Sequence, residues 1–329
     1  MFGVRIGRAL GSALALFVFY AGTASGADTD AIKSPVATQC DILASHRHDY
    51  ERVALPVKSI VNVAEARMVC EAALSRDPEN PRLLFLMGRV LDQQEREYWE
   101  LSAGTPYFER AAARGYLAAE FLLGVVNSKV WGRGRFRLAF FHMLRAARAG
   151  HLEAMGRISL FMGRRNAQKH RAEIIALTRK AIARGHADAM ANLAKGYIFV
   201  LGDTERHEEA VDMLFEAEKR GSLEASAIIG QLQTFEAVPA GIRDLIAENT
   251  FGGLRRLLNA GEKGNRKAAF ILGMLYSGTT FAIPRDRKKM ITWLCRAGRR
   301  GEYMVAELLE KDVRKFRCSK ELANLEKAG

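Results

Sequence analysis

The residues best suited to chemistry are few and scattered. His46-Arg47-His48-Asp49 sets two imidazoles two positions apart, as a metal site can, but such a pair needs further ligands from elsewhere. The run reads as a short loop with none beside it, and no Cys-x-x-Cys occurs in the chain. Trp131-Gly132-Arg133-Gly134-Arg135 is rich in glycine and arginine, yet no strand pattern precedes it, which argues against a nucleotide cradle. Gly-x-Ser-x-Gly and His-Glu-x-x-His are absent. Spacing brings no nucleophile and base together, so the sequence predicts no enzyme, no metal and no cofactor.

Charge is the stronger signal. The formal net charge is +13, and residues 129–185 hold fourteen Lys and Arg against two acids, Glu153 and Glu173. Arg133, Arg135 and Arg137 crowd one end of this block. Stacked helices about 10 Å apart in a medium with a screening length of about 8 Å sum to one field that attracts anions. A solvated face carrying arginine for solubility explains the same residues equally well. Nucleic acid is the cytoplasmic answer to such a patch; for an exported chain an acidic protein surface, a lipid headgroup or an anionic envelope polymer fits better.

Export is what the N-terminus predicts. Arg5 and Arg8 precede an apolar run from Ala9 to Ala21, and the small residues Ala24-Ser25-Gly26-Ala27 follow, the layout of a cleavable signal. The apolar run falls short of the roughly 20 residues of a membrane helix, so no stable span is expected after cleavage. Four cysteines in an oxidising compartment suggest disulfides. Pairing of Cys40 with Cys70 and of Cys295 with Cys318 is preferred, because each pair lies near one end of the array, where a neighbouring unit is missing. Four reduced, buried thiols is the alternative if the chain stays inside the cell.

All of these residues are set on a repeat. An Ala four residues before a Gly recurs at Ala111/Gly115, Ala146/Gly150, Ala181/Gly185, Ala217/Gly221, Ala260/Gly264 and Ala297/Gly301, with the glycines 35, 35, 36, 43 and 37 residues apart. A second column of small residues, Gly88, Gly124, Ser159, Ala194, Gly230 and Gly273, runs in step with it. Two columns in step mean one helical hairpin copied, and stacked copies share a continuous core. The expected organisation is a signal peptide over 1–26, a flexible leader over 27–39, an N-terminal helical cap over 40–80, about six units over 81–301 and a C-terminal helical cap over 302–329. Phe140, Phe141, Leu257 and Trp293 are expected in the core. Gly150 is expected in the left-handed conformation at a helix end, with valine there damaging the packing on both sides. The stretch from Phe235 to Gly252, with Pro239 and Gly241, lengthens the fifth unit and predicts a loop on one face.

The columns resemble Sel1-like repeats. The sixth unit matches best, with Ala268-Ala269-Phe270-Ile271-Leu272-Gly273-Met274-Leu275-Tyr276, then Trp293, Ala297 and Gly301. The second keeps Ala119, Leu123, Gly124, Ala139, Ala146, Ala147 and Gly150. Ser159 replaces glycine in the third, and the fifth carries Gly253 and Arg256 where alanine and tryptophan are usual. The segment from Cys40 to Arg89, with Cys70-Glu71-Ala72-Ala73 and Asp77-Pro78, is similar to a leader found ahead of such repeats in exported proteobacterial proteins. The resemblance implies an all-α fold, a right-handed superhelical solenoid of Sel1/TPR-like helix hairpins, working as an adaptor or regulatory protein and supplying no catalytic residues.

The resulting expectation is a periplasmic or secreted scaffold for a protein partner, with no nucleic acid bound. The first helices of the central units would form the binding face, with Arg157, Asn192 and Tyr197 as groove residues and Arg133, Arg135 and Arg137 steering an acidic partner. Two rival readings stay open: a hydrolase of cell-wall or β-lactam substrates, and a structural binder of anionic envelope polysaccharide.

Overall fold

Apolar residues three and four apart give this chain helices, and a glycine followed by a capping residue ends one helix and starts the next. The computed structural model describes residues 36–93, 101–129, 133–163, 165–235, 238–239, 241–247, 249–279 and 283–299. The signal segment 1–26, the leader up to residue 35, Trp131, Cys318, Gly301 and the C-terminal cap 302–329 lie outside them. The chain divides into two units, Met1–Val36 and Ala37–Gly329, and every described helix belongs to the second.

Two helices come first, α1 (Gln39–Ala44) and α2 (Val63–Arg76), joined by the Cys40–Cys70 disulfide. Six hairpins follow: α3 (Pro81–Asp92) with α4 (Thr105–Ala113), α5 (Leu117–Lys129) with α6 (Arg133–Arg148), α7 (Leu152–Arg157) with α8 (Arg171–Ala183), α9 (Ala187–Lys195) with α10 (His207–Lys219), α11 (Leu223–Thr234) with α12 (Thr250–Glu262), and α13 (Arg266–Met274) with α14 (Arg287–Arg299). Each helix packs on the next in sequence, and the first helices α7, α9, α11 and α13 also pack on one another. Among the described residues there is no strand. The all-α architecture of stacked hairpins therefore stands on the chain's own contacts.

The two small-residue columns exist for opposite reasons. Gly150 has φ +89°, as do its column mates within a narrow range, and a Cβ placed on it meets nothing within 4 Å. It closes the last turn of α6 with its N–H on the Ala147 carbonyl. A Cβ there has open space around it, so the damage from a side chain comes first from backbone strain of about 1–2 kcal/mol and not from a clash at the Cβ. Gly230, in the other column, has an ordinary φ but no room: a Cβ would lie 2.8 Å from Leu257 and 2.9 Å from the Gly253 carbonyl. That column is where the two helices of a hairpin touch.

Local departures have visible causes. At Arg256, where a tryptophan is usual, the guanidinium reaches Glu218 of α10 at 3.0 Å and Gln233 of α11 at 2.9 Å, so polar contacts replace a ring. The first helix of the third unit tightens into a 3-10 segment at Ile158–Phe161, and those of the fourth and sixth widen into π turns at Gly196–Leu201 and Leu275–Thr279. The insertion in the fifth unit is not a plain surface loop. Ile242 and Ile246 are buried in the same core cluster as Val211 and Leu214, because the turn at 241–246 folds back onto α10. Phe140, Leu257 and Trp293 lie in the core as expected, but Phe141 is 42% exposed on the outer side of α6.

Candidate functional site

A ladder of capping residues runs along the start of the first helices. The residues after the positive-φ glycines Gly150, Gly185, Gly221 and Gly264 are His151, His186, Ser222 and Asn265, and each accepts a hydrogen bond from the backbone N–H three residues on, at Ala154, Ala189, Ala225 and Ala268. An exposed first-turn N–H has no partner within the helix, so each cap is worth about 1 kcal/mol. The same side chains also donate to the acid two residues past the preceding cap. His186 Nε2 donates to Glu153 at 3.0 Å, Ser222 Oγ donates to Asp188, and Asn265 Nδ2 donates to Glu224 at 3.1 Å. Histidine, serine and asparagine share this position because each can accept with one lone pair and donate with a hydrogen.

The ladder begins differently. His151 has no acid from a preceding unit and donates its Nε2 hydrogen to the His48 carbonyl at 2.8 Å. The segment 45–57, closed by the Val57 N–H on the Ser45 carbonyl at 3.0 Å, lies as a strap across the first helices of three consecutive units. On α3, the buried guanidinium of Arg89 donates to the carbonyls of Ala44 and Ser45, capping the end of α1, and the His46 ring rests edge-on to Phe85. At the start of α5, Tyr116 donates its hydroxyl to Asp49 at 2.8 Å, and Phe121 packs between His48 and His151. On α7, His48 Nδ1 lies 3.4 Å from Glu153.

Glu153 is the hub of this arrangement. Burial alone pushes its carboxyl up, but the hydrogen bond from His186, the charge of Arg157 and the proximity of His48 outweigh burial and hold it well below the usual range. Arg157 reaches Glu153 through Nε at 2.5 Å. His46 falls to about 3 and His48 to about 4, in both cases first through burial. His48 is thus neutral at pH 7, with Nε2 accepting from Arg47 at 3.0 Å and the hydrogen on Nδ1 facing Glu153. His186 moves the other way, raised by its hydrogen bond to Glu153. The imidazoles are taken up by hydrogen bonds within the chain, and among the described residues no group of three or more His, Cys, Asp or Glu is arranged to hold a metal ion.

The residues expected to line a groove divide. Arg157 lies on the first-helix face, with its side chain 34% exposed. Asn192 is 6% exposed and gives its amide to the Gly156 carbonyl at 3.0 Å, tying α9 to α7. Tyr197 is 0% exposed, because the π turn at Gly196–Leu201 rotates its ring into the core beneath the Arg206 guanidinium. Neither reaches a partner from there.

The basic block is partly consumed by ion pairs within and between units. Arg148 pairs with Glu173 and Arg179 with Glu209, joining the second helices of successive units, and Arg145 pairs with Glu120 inside its own hairpin. Arg135 is half-buried and donates to Asn127 at 3.4 Å. The Arg133 side chain lies outside the described ones; Arg133 itself opens α6. Arg137 is exposed, and like Arg165, Lys169 and Lys180 it has no carboxylate within ion-pair distance among the described residues.

These features define a helical-hairpin solenoid whose first-helix face carries a capping ladder and, over three units, a strap. Three solved structures are similar. A protective antigen present in uropathogenic Escherichia coli strains, displaying an SLR fold, matches at 17% identity and TM-score 0.41 over 77% of this chain and 52% of its own, so the chain spans about half of that protein. A Sel1 repeat protein from Oxalobacter formigenes matches at 19% and 0.44 over 72% of this chain and 99% of its own. An immunity protein from Pseudomonas aeruginosa matches at 17% and 0.43 over 67% and 82%. No family model and no curated protein matches the chain.

Proposed function

We propose that the chain is an exported scaffold that holds a protein partner, in a regulatory or adaptor role in the cell envelope. The observation that carries this reading is the exposed cation set on the second and third units: Arg137, Arg165, Lys169 and Lys180 have no carboxylate partner among the described residues, while the neighbouring arginines pair within the chain. Cations left over after the internal ion pairs have formed are available to an acidic surface and set the rate at which it is captured. Arg137 takes the main steering role, with Arg133 and Arg135 beside it on α6.

Export is supported by Cys40–Cys70, since such bridges persist in oxidising compartments. No described cysteine is a free thiol, and we assign Cys295 to Cys318 at the other end of the array. No helix among the described residues is long and apolar enough to cross a membrane. Crosslinking in intact cells, followed by mass spectrometry, identifies the partner. Charge reversal at Arg133, Arg135 and Arg137 is expected to weaken its capture, more so at low salt. Every partner retained by the triple variant removes the basic patch from the mechanism. Recovery of an anionic polysaccharide and no protein would instead make the chain a binder of envelope polymer.

A further inference from the structure

Tyr116 follows the positive-φ Gly115 as His151 follows Gly150, so it holds the first position of the ladder. The acid that a ladder residue donates to stands two residues past the preceding cap, at Glu153, Asp188 and Glu224. Counted in the same way, Asn80 and Tyr116 lead to Arg82 and Ala118, and neither side chain is an acceptor. The Tyr116 hydroxyl and the Nε2 hydrogen of His151 thus have no acid of the array to reach. The strap supplies both acceptors, the Asp49 carboxylate at 2.8 Å and the His48 carbonyl at 2.8 Å.

The strap is held as a ligand is held. Asp49 is the one fully buried residue of 46–57, Tyr50 and Leu55 are 53% and 86% exposed, and Val57 rests at the edge of the core. Polar anchors and not apolar burial fix it, and segments with few buried apolar contacts open most readily. Beneath it Phe121 lies between the rings of His48 and His151. The Cys40–Cys70 bridge joins α1 to α2 across the strap, so its two feet stay together when its middle lifts.

We infer that the strap is the exchangeable occupant of a peptide-binding face, and that a partner segment carrying an Asp or Glu takes its place on α3, α5 and α7. The carboxylate meets Tyr116, where Asp49 lies now, and the carbonyl of the residue before it meets His151. Donors facing apolar rings are expensive to leave without an acceptor, so the face selects a segment that brings both groups. The assignment rests on the scaffold reading and adds to it the face, the register and the residue recognised.

The test titrates a labelled synthetic peptide of residues 45–57 into the purified, oxidised full chain. In the wild type the strap, tethered at both ends, competes at the roughly millimolar effective concentration of a short loop, so the peptide binds weakly. Asp49→Ala on the strap is expected to tighten the peptide at least tenfold, about 1.4 kcal/mol. The gain should vanish when the same acid of the peptide is replaced by alanine, or when the chain also carries Tyr116→Phe, which keeps the ring. A second chain, with 46–56 exchanged for a Gly-Ser run of equal length, should bind the peptide at least as well as Asp49→Ala. No gain in either chain, with the wild-type circular dichroism kept, makes the strap a fixed part of the fold and overturns the exchange. Partners still crosslinked in cells would then leave the scaffold standing, and none would take the scaffold with it. Loss of the folded spectrum in both chains overturns the exchange too, as does a gain that ignores the acid and Tyr116. An Asp49→Ala chain that dimerises in light scattering and takes up no peptide overturns it in favour of a second copy.

Discussion

The first three units and the last three are copies of one hairpin, yet their first-helix faces are finished differently. In the first three, the strap 45–57 lies over α3, α5 and α7 and is held by Arg89, Tyr116, His151 and Glu153. In the last three, Ser222 on Asp188 and Asn265 on Glu224 join unit to unit, and the strap does not extend over them. Stacking and these cap-to-acid hydrogen bonds therefore hold one half of the array, and the strap adds a second, long-range layer to the other. Contacts between hairpins are local and additive, whereas the strap ties three units into one event.

The largest effect expected from breaking this asymmetry comes from the disulfide. Cys40–Cys70 closes a loop of 30 residues, a constraint worth roughly 3–4 kcal/mol in the unfolded chain. Replacing both cysteines by alanine should release the strap, so amide exchange across 37–76 accelerates by that amount while α11 to α13 keep wild-type protection. Equal loss of protection at both ends would mean that the halves are not separate.

Next is the hub. Glu153→Ala strands Arg157 and His186 and removes the seat of His48, and breaking a buried pair this way costs about 3 kcal/mol. The matching change in the other half, Glu224→Ala, loses one hydrogen bond from Asn265, a long contact with Lys195 at 3.9 Å and the attraction of the Lys267 and Arg266 charges, with no buried ion pair broken. Its cost is expected near ~1 kcal/mol. Urea denaturation of the two variants side by side checks the ratio, and similar midpoints would erase the distinction.

Between pH 7 and pH 5, acid should act chiefly on the strapped half. His46 and His48 are depressed from 6.5 to about 3 and about 4. An imidazole depressed in the folded state takes its proton first in the unfolded chain, so its contribution is whole above pH 6.5 and falls as the pH drops toward the folded value. At about pH 5 the loss is on the order of 1–2 kcal/mol per histidine. His186, raised by Glu153, has the opposite sign: its contribution is complete below its unfolded value and lost as pH rises through its folded one. It therefore offsets part of the loss and leaves the strap the acid-sensitive element. Exchange at 45–57 measured at pH 7 and pH 5 should rise in wild type and rise about half as much in His48→Gln.

The repeat is legible in the sequence because a left-handed turn leaves glycine as the cheap choice, and Gly150 and its mates carry that mark whatever surrounds them. The pairing of Cys40 with Cys70 is legible too, from their place at the end of the array. The strap is not, since a loop carries no period, and His46 to Asp49 look the same whether they face water or three helices. Helical spacing assigns Asn192 and Tyr197 to the surface, but it fixes a face only to within a turn, and a π turn is enough to bury Tyr197. The capping ladder is half visible. His151 and His186 stand at one repeat position, but Ser222 and Asn265 hide it, because the column keeps a hydrogen-bonding pattern and no residue type.

Ser222 therefore offers the smallest and most discriminating change. Ser222→Ala removes the acceptor for the Ala225 N–H and the donor to Asp188, and should cost about 1 kcal/mol, the usual worth of a cap. Ser222→Asn supplies both groups again, in the arrangement that Asn265 already uses with Ala268 and Glu224, and should restore most of the loss. If the position serves only its own helix, glycine would do nearly as well as asparagine, since it lowers cap stability by only a few tenths of a kcal/mol. Thermal unfolding of the alanine, asparagine and glycine variants separates the two roles: asparagine well above glycine means that the contact across units carries weight, and the two equal means that unstrapped units are held by their cores alone.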